Sequence, residues 1–98
     1  MMAKRSPVGM DEAETLGAAA LEFLSREPSR LVRFMSLTGL QPEDLIARAD
    51  TRDMQAALIE HLLADESLLL VFAAEASAAP ERIAEAHAVL TAGHGTRG

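Results

Sequence analysis

Ninety-eight residues with no cysteine and a net charge of −6 describe one acidic domain without disulfides, thiolate catalysis or cysteine-ligated zinc. The excess of carboxylates over Lys and Arg argues against a general affinity for nucleic acid, which rests on neutralising phosphates. Tyr and Trp are absent and no window alternates as a strand would, so an aliphatic, helical core around Phe23, Phe34 and Phe72 is expected.

Residues 1–9 hold Pro7 and Gly9 without periodicity and read as a mobile N-terminal tail. Lys4 and Arg5 could open a signal peptide, but no apolar segment follows them, so the expected location is the cytoplasm. Asp11 and Glu14 resemble a capping box, and Leu16, Ala19, Ala20, Phe23 and Leu24 then recur at helical spacing. They predict a first helix over about 11–26. Pro28 suits a first helical turn, and Leu31, Phe34, Met35 and Thr38 form one face of a second helix that Gly39 ends.

Pro42 opens a short third helix, about 42–49, with acids in its first turn followed by Leu45, Ile46 and Ala49. Asp50 or Thr51 caps a fourth, whose wide apolar arc includes Met54, Ala57, Leu58, Ile59, Leu62 and Leu63. Asp65 caps a fifth, about 66–77, in which Leu68 to Phe72 leave no polar face. Such a helix is expected to be enclosed, forming a central hairpin with the fourth. Pro80 starts the last helix, with Ile83, Ala84, His87 and Leu90 inward, and residues 93–98 read as a second tail. The expectation is an all-α, compact single-domain bundle of five to six short helices over residues 10–92. Its longest charge-free apolar run lies between Glu66 and Glu75, far short of the roughly 20 residues of a membrane span.

Candidate chemistry is sparse. His61 and Asp65 share a helix face at i, i+4, yet a metal site needs three or four ligands and no third is evident. His94 lies in a Gly-rich tail and reads as solvated. The junction from Leu37 to Leu45 has helix-turn-helix form, but Glu43 and Asp44 would face phosphate, so a plain helical corner is the better reading. Ser67, between Asp65-Glu66 and Leu68, resembles the phosphopantetheine serine of acyl carrier proteins. Glu66 intrudes in that motif, and helix stands where the carrier family has a long loop.

Residues 26–52 hold five Arg against four acids, and the remainder four basic residues against eleven acids, so this third is +1 and the rest −7. Within it Arg26, Arg30 and Arg33 are spaced as a stripe, the candidate interaction surface; the plainer reading is a solvated face paired with Glu22 and Glu27.

The pattern Glu14-Thr15-Leu16, Phe23-Leu24, Pro28, Arg33-Phe34, Thr38-Gly39-Leu40, Pro42, Asp44-Leu45, Ala47-Arg48 and Leu63 through Leu69 resembles a family of small bacterial proteins without assigned function. That family is found chiefly in alphaproteobacteria. The resemblance covers about four-fifths of the chain and implies a single helical domain from a bacterium; it transfers no catalytic residues. The functional expectation is a cytoplasmic interaction or adaptor module, not an enzyme and without cofactor. Its partner is an unidentified protein or a second copy, not nucleic acid or membrane. The alternative is a carrier or small-ligand protein using Ser67 or an interhelical pocket.

Overall fold

The computed structural model describes residues 6–92 of the chain. The first five residues, the expected tail at 93–98 and His94 within it lie outside the described residues. Among those described there are six helices and no strand: α1 (Met10–Ser25), α2 (Pro28–Thr38), α3 (Pro42–Arg48), α4 (Arg52–Leu63), α5 (Glu66–Ala76) and α6 (Pro80–Ala92). The boundaries follow local chemistry. Thr51 Oγ1 accepts the Met54 N–H at 3.2 Å, and Asp65 Oδ1 accepts the Leu68 N–H at 3.2 Å. Gly39 ends α2 at φ 79°, the left-handed region a side chain disfavours. At the start of α1 the expected capping box is not formed. The helix begins at Met10 after Gly9, so Asp11 falls inside the first turn, where its charge suits the helix dipole.

The centre of the molecule is the mutual packing of α1, α4 and α6. Leu16, Ala20 and Leu24 from α1, Leu58, Ile59 and Leu62 from α4, and Ile83, Ala86 and Leu90 from α6 are buried together. This corrects the expectation of a central α4–α5 hairpin. The fifth helix flanks the trio: Phe72 and Ala73 are buried, but Leu70 is 51% and Val71 43% exposed. In a domain this small a helix can have an uncovered side even when its outer residues are apolar. One inward assignment, Ala84, is reversed, and one residue of the expected α2 face, Thr38, is exposed. Ala84 faces solvent while Ala86 takes the core position, and Thr38 turns its hydroxyl back onto the Phe34 carbonyl at 2.8 Å.

Residues 6–9 lie against the bundle. Val8 is buried, and Arg82 on α6 reaches the Ser6 carbonyl at 2.8 Å while holding Glu12 on α1 through two bonds of 3.0 and 2.6 Å. That bidentate pair ties the starts of α1 and α6 together.

Candidate functional site

The second and third helices are joined to this centre by few side chains. Phe34 is the one buried residue of α2 and Leu45 the one buried residue of α3. Each anchors its helix, and the residues beside it are left half covered. Leu31, one turn before Phe34, and Met35, the residue after it, pack only partly on the core. In α3, Ile46 follows the anchor Leu45 by 100° of helix rotation and points away from the core. It is 82% exposed.

The space between these helices and the last turns of α1 is a groove of about 480 Å³. Its walls are Leu21 and Ser25 from α1, Leu31 and Met35 from α2, and Pro42, Leu45, Ile46 and Ala49 from α3 and its end. The Ser25 hydroxyl is the one side-chain polar group among them. A more open depression across the α2–α3 turn shares Met35 and Pro42 and is of mixed polarity, with Ser36 and Gln41 beside Leu40 and the 56% exposed Val32.

Charged residues of both signs adjoin the lining positions: Arg26 follows Ser25, Arg30 precedes Leu31 and Arg48 precedes Ala49. Glu43 lies one turn before Ile46, Asp50 just beyond the end of the helix, and Glu22 is next to Leu21 and one turn from Ser25; all three are exposed. Arg48 is two residues from Ile46 and so lies on the opposite side of α3. None of these three carboxylates is in an ion pair among the described residues.

The residues singled out in the sequence lie elsewhere. Arg26 follows the end of α1 and pairs with Glu75 of α5 at 3.0 Å, instead of with Glu22 or Glu27. The Arg30 guanidinium lies 4.6 Å from the centre of the Phe23 ring, a cation–π contact, and Phe23 in turn meets Phe72 edge-on at 5.4 Å. Arg33 is exposed. Ser67 is exposed in the first turn of α5, beside the Asp65 cap and outside the groove. At the helical corner, Asp44 accepts the Gln41 N–H at 2.9 Å, which spends its carboxylate on closing the turn. Among the described residues no three His, Asp or Glu side chains converge as metal ligands.

His61 packs edge-on against Phe34, with ring centres 5.3 Å apart. Burial holds its pKa below the ordinary 6.5; the Arg33 charge pushes the same way and Asp65 partly opposes them. With the folded pKa depressed, the unfolded chain binds more protons at and just below pH 6.5, so folding stability falls as pH drops through that window. Urea unfolding from pH 7.5 to 5 checks this: His61→Gln is expected to flatten the loss relative to the parent chain, and an unchanged slope contradicts it.

A family model described as "Protein of unknown function (DUF3572)" matches residues 10–93. No curated protein and no solved structure matches the chain.

Proposed function

The chain belongs to that DUF3572 family, whose description assigns no function, and we propose that it is a cytoplasmic protein-interaction module without catalysis of its own. Its docking surface in this reading is the α1–α2–α3 groove. The observation that supports it is Ile46, an isoleucine 82% exposed on the wall of a groove that also bares Leu31 and Met35. Scattered surface apolar residues are ordinary; a contiguous apolar groove extended by an exposed anchor is the usual mark of a binding surface. The Arg26, Arg30 and Arg33 stripe is the weaker surface, because two of its three guanidinium groups already have intramolecular partners.

Site-specific photo-crosslinking in the cells that make the protein tests this. A crosslinking residue at Ile46 is expected to form a discrete protein adduct, and the same residue at exposed Ala84 on α6 is not. Equal or absent labelling at both positions contradicts the docking reading.

A second reading has one observation in its favour. The groove volume falls within the roughly 300–1,000 Å³ of small-molecule sites, so it could hold an apolar ligand with Ser25 as the polar contact. In a carrier reading based on Ser67, the adduct would sit outside this groove. Native mass spectrometry of protein from its source separates the three: a small added mass that survives denaturation marks Ser67-type attachment, one that is lost marks a ligand, and neither favours docking.

A further inference from the structure

The outer side of α5 bears a stripe without charge. Ser67, Leu70, Val71 and Ala74 recur at i, i+3, i+4 and i+7 and are all exposed, while Phe72 and Ala73 hold the inner side in the core. The helix has two charged residues of its own, Glu66 and Glu75. At 100° of rotation per residue they stand about 90° to either side of the stripe's midline, one near each end. The neighbouring charges have partners: Asp65 accepts the Leu68 N–H at 3.2 Å, Arg26 gives Nη1 to Glu75 at 3.0 Å, and Arg30 lies over the Phe23 ring. Glu66 is exposed and in no ion pair among the described residues.

Such a stripe complements itself. From either end its exposed residues run acid, small, large aliphatic, large aliphatic, small, acid. We propose that α5 is a self-association face, occupied by the α5 stripe of a second copy lying antiparallel to it. A twofold axis between Leu70 and Val71 sets each of them on the other's equivalent and Ser67 on Ala74, the reciprocity an isologous contact requires. The same axis brings Glu66 of one copy beside the Arg26–Glu75 pair of the other. Arg26 spends Nη1 on Glu75, and a guanidinium has five N–H donors, so the remaining ones receive the incoming carboxylate. This surface is separate from the groove, none of whose walls belongs to α5. Two turns of one helix cover less than the roughly 800 Å² per partner of a standard interface. The net charge of −6 on each copy also opposes approach, so the pair is weak and forms at high protein concentration.

Because the chain has no cysteine, introduced thiols report the contact and its register. Ser67→Cys mixed with Ala74→Cys under mild oxidation is expected to give a covalent dimer. Either variant alone gives little, since its two thiols would stand about 10 Å apart along the helix axes, too far for a disulfide. Sedimentation equilibrium of the full chain up to about 1 mM measures the association itself. Leu70→Asp is expected to raise the dissociation constant roughly tenfold or more. Arg26→Glu and Glu66→Arg each raise it roughly two- to fivefold, and the double variant recovers most of that loss although the Arg26–Glu75 pair stays broken. All these positions are exposed, and an unchanged thermal melt confirms that each variant folds. A chain monomeric at every concentration overturns the proposal. So does a dimer that survives Leu70→Asp and is lost in Ile46→Asp, which would place the second copy in the groove. Equal crosslinking of the mixed and single samples, or a double variant no better than the single ones, overturns it as well.

Discussion

Phe34→Ala is expected to lower the free energy of unfolding by about 3–5 kcal/mol, the usual cost of deleting a fully buried Phe. The loss should be uneven along the chain. Phe34 is the one buried side chain of α2, and α3 reaches the core only through Leu45. With the ring gone, the edge contact to His61 is lost too, and half-buried Leu31 and Met35 with the Arg30–Phe23 contact are what remain of the α2 packing. The trio α1, α4 and α6 keeps its own buried contacts. Hydrogen exchange should therefore show α2 and α3 losing protection by local opening while the trio retains most of its own. Uniform loss across all six helices would contradict this hierarchy. The groove lies between the loosened helices and α1, so its binding should fail in this variant without any change to Ile46.

Gly17→Ala is expected to destabilise the protein by about 1–3 kcal/mol, against the direction of helix propensity. Mid-helix, Ala is the better former by about 1 kcal/mol, so propensity alone predicts a gain. Gly17 is where α1 meets α4. A Cβ built there stands 2.5 Å from Gln55 Cβ and 2.7 Å from its Cγ, with the Gln55 Cα at 3.3 Å. These atoms are the stem of the side chain and its backbone, so no rotamer change clears the space and the two helices must separate. Gln55→Gly removes the side-chain atoms that clash. A thermodynamic cycle should show Gly17→Ala costing far less in that background. Additive effects would mean that the close approach is not what selects glycine. Gln55 itself is 5% exposed, and its Oε1 has no hydrogen-bond partner among the described residues.

The contrast between legible and illegible features is one of range. Pro28, Gly39, Pro42, Thr51, Asp65 and Pro80 act on the backbone next to them, so helix ends could be read from residue type alone. The buried arc of α4 was legible for the same reason, because its apolar positions recur on one face. In α5 the apolar residues run all round, so no periodicity marks the side that faces water, and Leu70 and Val71 were misplaced. Gly17 and Gln55 are 38 positions apart and gain meaning only when two helices cross. The groove was illegible on the same ground. Ile46 belongs to an apolar pattern with Leu45 and Ala49, and only the placement of α3 against α1 and α2 decides which of them is bared. The Arg stripe is visible in one dimension because like charges recur at helical spacing, whereas the partners of Arg26 and Arg30, Glu75 and Phe23, are set only by the packing of helices.

The central claim is that the α1–α2–α3 groove is the surface through which the protein engages a partner protein. Methyl NMR of the isotopically labelled full chain, titrated at constant concentration with the protein captured by crosslinking at position 46, tests it most directly. The account predicts saturable shifts at Leu21, Leu31, Met35, Leu45 and Ile46, with Ile83 and Leu90 in the α6 core unmoved. Shifts centred on Leu70 and Val71 of α5, or none at the groove methyls at saturating partner, would contradict it.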